Sequence, residues 1–191
     1  RETVLQVGNL LQERDLMMGY SVSKKIVGDH PLTVLGSNPN IPGSRLSQGF
    51  QDLLDNFKSS GAFINTTVEE YEDGYNLSML EAMATGMPVI SSWNKTSPIE
   101  DGMNGYVSKD LNYLNQRIDF LLKNPEEARK LGEKARKTVQ DKFPLKRFLH
   151  SWQKAVEKSV LEFLQRTGIN LDQKAVPFKK KIRKNILMDF V

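Results

Sequence analysis

Short apolar runs alternate along the chain with longer segments in which apolar residues recur every three or four positions. "TVLQVGNL" (3–10), "PLTVLGSN" (31–38), "GAFINTT" (61–67), "PVISS" (88–92) and "GYVS" (105–108) are bounded by Gly, Pro or Asn and read as strands. Helical patterns lie between and after them, near residues 15–27, 46–58, 76–85 and 110–122. That alternation predicts an α/β fold, a parallel sheet flanked by helices on both faces. Two further helices follow. In "NPEEARKLGEKARKTVQDKF" Asn124 is placed to cap, Pro125 suits the first helical position, and Glu127 completes a capping box. From Pro144 to about Thr167, Phe148, Leu149, Trp152, Val156, Val160, Phe163 and Leu164 recur at helical spacing. The expected organisation is a domain over 1–143, a helix region over 144–173 that packs on the domain or toward a missing one, and a tail over 174–191.

A chain of 191 residues with 39% hydrophobic content can bury one sizeable core. It begins on Arg1 with a buried strand close behind, and so reads as a piece of something longer. There is no cysteine and there are only two histidines, His30 and His150, which gives no disulfide framework and no zinc ligand set. Both histidines read as packing or surface residues. No apolar run approaches the roughly 18 residues that a membrane span requires.

The net charge of +4 does not point to a nucleic-acid partner, because it is confined to one end. Lys174, Lys179, Lys180, Lys181, Arg183 and Lys184 stand there against Asp189 alone, and the remainder is close to neutral. The tail reads first as a solvated terminus or a contact with a missing domain, and second as peripheral contact with an anionic membrane surface. The expected location is cytoplasmic, with membrane association at the inner face as the further reading.

The stretch most suggestive of chemistry is "EDGYNLSMLEAMATGMPVI" (72–90). Asp73 and Gly74 fall in a strand-to-helix loop, Asn76 is a good cap, and Gly86 and Pro88 end the helix. The spacing predicts a buried face of Leu77, Leu80, Met83 and Ala84 with Glu81 at its border. Glu81 is then either a solvated helix charge or an acceptor for the two hydroxyls of a vicinal diol. The "DGYN" loop leaves N–H groups without helical partners at the positive end of the helix dipole, and Gly74 lets a phosphate approach.

"DGYNLSMLEAMATGMPVI", followed by "SPIEDGMNGYVS" (97–108), resembles the donor-binding C-terminal half of GT-B fold glycosyltransferases, especially the retaining family 4 (glycosyl transferases group 1). The likeness covers about residues 3–143 and is strongest over 73–107. It implies a Rossmann-like parallel sheet, with Glu81 on the ribose hydroxyls of a nucleoside-diphosphate sugar and Asp73 on hydroxyls of the transferred sugar. Gly74, Tyr75, Asn76 and Leu77 would cradle the diphosphate. "VGNLLQERD" is similar to the family's Val-Gly-Arg-Leu segment, in which an arginine and then a lysine grip the diphosphate. Here Asn9 stands at the arginine position and Arg14 at the lysine position, with Lys24 or Lys25 as possible substitutes.

Other departures from the family are Asp73 in place of the usual Glu, and Thr96 and Ser97 in place of Gly-Gly. A strand and helix are also missing after "VLGSN". The resemblance implies hexosyl transfer with retention and without a metal, and no cofactor beyond the donor sugar nucleotide. It further implies a glycan or lipid-linked acceptor held by a second Rossmann-like domain, as in polysaccharide biosynthesis. A non-catalytic or degenerate sugar-nucleotide-binding module remains an alternative, as does a GT-B-like epimerase or phosphorylase. A doubly wound domain with an accidental motif is the bland reading.

Overall fold

A computed structural model describes residues 1–71 and 76–168. The chain divides into two compact units after Phe143, and the first holds five strands: β1 (Val4–Val7), β2 (Leu32–Leu35), β3 (Ala62–Asn65), β4 (Val89–Ser92) and β5 (Tyr106–Ser108). They form one parallel sheet in the order β2-β1-β3-β4-β5, so the predicted Rossmann-like α/β arrangement is present. Each strand coincides with one of the five apolar runs.

Alternation along the strands feeds two cores. Val4, Ala62, Ile64 and Ile90 face one side, where they meet Ile26 and Val27 of α2 (Tyr20–Val27) and Leu114, Ile118 and Leu121 of α5 (Leu111–Lys123). Leu5, Phe63 and Val89 face the other, against Phe57 of α3 (Phe50–Ser59) and Met79, Ala82 and Met83 of α4 (Leu77–Ala84). Helix α6 (Pro125–Lys142) serves both, lending Ala128 and Leu131 to the first core and Ala135 to the second.

Three local expectations are corrected. The helix expected over 15–27 is broken into α1 (Asp15–Met18) and α2 by Gly19, whose φ is 61°. A Cβ there would lie 2.2 Å from the Thr66 carbonyl oxygen, so a neighbouring strand end imposes the break. The helix expected from residue 46 starts at Phe50, because residues just before it strap the sheet edge: Gly36 N–H donates to Arg45 O (2.9 Å) and Arg45 N–H to Val34 O (3.4 Å). Arg45 is itself clamped by both carboxylate oxygens of Asp52, and its guanidinium in turn holds the Asp52 pKa down to about 2. Finally, Asn124 makes no side-chain cap; its amide nitrogen turns back to Phe120 O (2.8 Å), so the capping box does not form, although Pro125 takes the first helical position as expected.

The far edge of the sheet is also covered. Val107 N–H donates to Asp101 Oδ1 (2.9 Å), and Asp101 Oδ2 accepts from the Tyr113 hydroxyl (2.8 Å). Burial and that bond push the Tyr113 pKa up to about 12. In the second unit α7 (Leu145–Thr167) carries the expected apolar stripe, and none of its side chains is buried. No helix among the described residues is long and apolar enough to cross a membrane.

Helices α4 and α6 touch where Gly132 meets the Gly86–Met87 turn, and a Cβ on Gly132 would lie 1.9 Å from Gly86 O. Gly132→Ala gains about 1 kcal/mol of helix propensity but drives a methyl into backbone that no rotamer change relieves. A net loss of about 1–3 kcal/mol in urea unfolding is expected, as for other overpacked contacts. Arg136→Ala on the exposed side of the same helix should stay within about 0.5 kcal/mol of the parent.

Candidate functional site

From β1 the chain turns outward to β2, and from β3 it turns the other way to β4, although β1 and β3 are neighbours. The loops that leave their carboxyl ends therefore diverge, and the crevice between them is where open parallel sheets bind ligands. Its first wall, the loop after β1, is locked from behind. Asn38, 4% exposed, donates to Gly8 O (2.8 Å) and accepts from Leu11 N–H (2.8 Å). Leu10 sits at φ 54°, the only non-glycine with positive φ among the described residues, and its N–H is held by Ser37 O (2.9 Å). The floor is polar: Ser23 Oγ donates to Gln6 Oε1 (2.8 Å) and Thr66 Oγ1 to Met18 O (3.0 Å), tying β1 to α2 and the end of β3 to α1.

The second wall is the start of α4. Asn76 Oδ1 accepts from Met79 N–H (2.9 Å), so the predicted cap is present. Asn76 Nδ2 reaches Thr67 Oγ1 (3.3 Å), Thr67 Oγ1 donates to Asn65 Oδ1 (2.9 Å), and Asn65 Nδ2 reaches Ser91 Oγ (3.2 Å). The helix start is thus bonded through a string of polar side chains to the ends of β3 and β4.

The expected buried face of α4 is corrected. Met79, Ala82 and Met83 are buried, Leu80 only in part, Leu77 is 72% exposed, and Ala84 is exposed. The close approach of α6 at Gly86 and Gly132 sets this rotation, turning Ala82 and Met83 inward. Glu81, two residues beyond Met79, is about 200° round the helix from it. Its carboxylate is fully on the solvent side, one turn after Leu77, with no ion pair or side-chain hydrogen bond among the described residues.

The other expected site residues fall as follows. Arg14 stands at the start of α1, exposed and without an ion pair among the described residues. Asn9 has committed its side-chain oxygen to Ser37 N–H (2.8 Å). Thr96 and Ser97 follow β4 in a turn wound on Asn94, whose Oδ1 accepts from both Thr96 N–H (2.9 Å) and Thr96 Oγ1 (2.8 Å). Ser97 Oγ accepts from Ile99 N–H (3.3 Å). Asn9, Arg14, Asn76, Leu77, Thr96 and Ser97 thus gather beyond the carboxyl ends of the adjacent strands β1, β3 and β4. Asp73, Gly74 and Tyr75 lie outside the described residues.

Lys24 lies with its ammonium 5.0 Å from the Tyr20 ring, in a cavity of about 390 Å³ beside β2, and Lys25 is exposed on α2. His30 is 3.8 Å from Asp119, and His150 is exposed on α7. Among the described residues no three of His, Cys, Asp and Glu come together. The sequence reasoning passed over Asn65, Thr66, Thr67 and Ser91. The available signal was that the strands 61–67 and 88–92 end in polar residues after wholly apolar starts.

The model of the glycosyl transferase-like family matches residues 21–154, well over half of the chain. The chain belongs to that family. It is similar, at 25% identity over 160 residues, to the poly(ribitol-phosphate) alpha-N-acetylglucosaminyltransferase of Staphylococcus aureus, a match that covers 79% of this chain and 31% of that protein. The fold matches a S. aureus TarM variant in complex with UDP (TM-score 0.61, 21% identity, 80% of this chain and 35% of that one). It also matches Anabaena HepE in complex with UDP-glucose (TM-score 0.65, 11% identity, 83% and 49%). The chain therefore spans between about a third and a half of the length of these proteins.

Asn76→Ala removes the cap and the link to Thr67 together, and should lower unfolding stability by about 1 kcal/mol. Asn76→Asp keeps the cap oxygen and should lose less, so urea unfolding is expected to rank parent, Asp, Ala.

Proposed function

We propose that this chain is the donor-binding part of a glycosyltransferase and holds a nucleoside-diphosphate sugar in the crevice between β1 and β3. The observation that carries the reading is the capped amino terminus of α4 at that crevice, with Glu81 solvent-facing one turn further on and without an ion pair among the described residues. The N–H groups of the first turn and the exposed Arg14 supply positive potential for a diphosphate. A free carboxylate suits the two ribose hydroxyls. Glycosyl transfer builds negative charge on the departing diphosphate, and oriented N–H groups with a cation already in place stabilise that charge without a metal. Asp73 would hold the transferred sugar, and retention of configuration follows the family resemblance.

The family relative acts on poly(ribitol-phosphate), and two of the similar structures are complexes with UDP or UDP-glucose. They favour a uridine donor and a phosphodiester-linked polyol or related glycan acceptor, bound by a second domain. The basic segment 174–191, outside the described residues, suits contact with the anionic inner face of a membrane, with the protein cytoplasmic. Asn9 favours a second reading, a binding module without turnover. Its amide oxygen serves the loop, and it brings no charge where the family has an arginine.

Calorimetric titration with UDP, GDP and ADP tests the donor reading. Saturable binding of UDP is expected, weakened about tenfold or more by either Arg14→Ala or Glu81→Ala, since a charge-assisted hydrogen bond contributes about 1.5–3 kcal/mol. A folded chain that binds none of the three nucleotides overturns it.

A further inference from the structure

A second concave feature lies beyond the carboxyl ends of β3, β4 and β5. It encloses about 220 Å³, and Thr66, Thr67, Glu69, Glu70, Trp93 and Lys109 help to line it. The sheet register builds it. Ser92 pairs with Ser108, and Trp93 N–H donates to Ser108 O (2.9 Å), so the residues that follow the two strands, Trp93 and Lys109, stand side by side. The Lys109 ammonium lies 4.2 Å from the centre of the Trp93 ring and holds it across one face. Trp93 is 40% exposed, and neither Lys109, Glu69 nor Glu70 has an ion pair or side-chain hydrogen bond among the described residues.

The chemistry of this lining narrows the ligand. Two carboxylates repel a phosphate and can only accept hydrogen bonds, so they call for a ligand rich in O–H donors. An indole face that the lysine leaves open offers a flat, electron-rich surface suited to the polarised C–H face of a sugar ring. The ammonium adds a donor for ring hydroxyls, whereas the hydroxyls of Thr66 and Thr67 already donate to Met18 O and Asn65 Oδ1 and serve as acceptors only. An aromatic platform with a few convergent polar groups is the general make-up of a small-molecule site. The cavity also shares its threonines with the crevice: Thr66 anchors the end of α1 and Thr67 bonds to Asn76.

We propose that this cavity is a saccharide subsite, with Trp93 as the stacking platform and Glu69, Glu70 and Lys109 as hydroxyl partners. The pyranose comes either from the donor, an arm that rests on the nucleotide-sugar reading above, or from a free or acceptor sugar, an arm that does not.

The chain has two tryptophans, so Trp152→Phe leaves Trp93 as the single emitter. That protein is titrated with UDP, GDP, UDP-glucose, UDP-N-acetylglucosamine, GDP-mannose, and free glucose and N-acetylglucosamine. A change in Trp93 emission with a nucleotide sugar but not with its parent nucleotide supports the donor arm, and a change with a free sugar supports the acceptor arm. Calorimetry of Trp93→Ala and Lys109→Ala should show binding of that sugar ligand weakened about threefold to tenfold, roughly the loss of one polar or stacking contact. UDP affinity should stay within about twofold, and Trp93→Phe, which keeps a ring, should retain most of the sugar affinity. Equal responses to nucleotide and nucleotide sugar, or no response to any saccharide whether or not UDP binds, overturn the proposal. A chain that binds no nucleotide but answers to free sugar removes the donor reading and leaves the subsite standing.

Discussion

Asn76 uses both halves of its amide. The oxygen closes the first turn of α4, and the nitrogen begins the string through Thr67 and Asn65 that ends on Ser91 in the next strand. Asn65 in the middle of the string is buried, so leaving its amide unpaired would cost roughly 1–3 kcal/mol, more than a single surface hydrogen bond contributes. The string is therefore tightly specified, and it fixes the site helix to the strand ends rather than to a surface loop. Everything read from α4, including which side Glu81 takes, depends on that attachment and on the Gly86–Gly132 contact at the other end of the helix.

The crevice is charged asymmetrically. On the β1 side Arg14 brings a cation with no ion pair among the described residues, whereas Asn9 is absorbed into a backbone-locking role with Asn38 and Ser37. On the α4 side positive potential comes from N–H groups rather than from a side chain. Lys24, which looked in the sequence like a possible second counter-charge, lies over Tyr20 beside the sheet edge. Another cation by the strand ends is Lys109, where a single sequence offers little to mark it: the pairing of β4 with β5 brings it to Trp93, sixteen positions earlier in the chain.

The five strands were legible because each is a short, largely apolar run, buried on both faces in β1, β3 and β4 and in part in the edge strands β2 and β5, and a parallel sheet writes that pattern plainly. The Asn76 cap was legible for a local reason, since cap and helix are neighbours in sequence. What escaped was decided by distant backbone. Gly19 breaks a continuous helical pattern because Thr66 O leaves no room for a Cβ, and α4 is rolled by α6, so Leu77 faces solvent against its own hydrophobicity. Asn124 had a competing partner in Phe120 O that a capping-box pattern does not reveal. Of the candidate site, the residues on regular elements could be placed from sequence, whereas the cavity around Trp93 depends on side chains gathered from three strand ends.

Both margins of the sheet are closed by an aspartate. Asp52 clamps Arg45, whose backbone occupies Val34 O on β2 and the Gly36 N–H just after it, and Asp101 takes Val107 N–H on β5. An open sheet with free margins is a template on which a second chain can add a strand, the first step of aggregation. Here that step must displace the clamped Arg45 backbone at one side and the Asp101 carboxylate at the other. The Arg45 guanidinium holds the Asp52 pKa down to about 2, so the side-chain clamp behind the β2 margin keeps both its charges where an ordinary carboxylate is already half discharged.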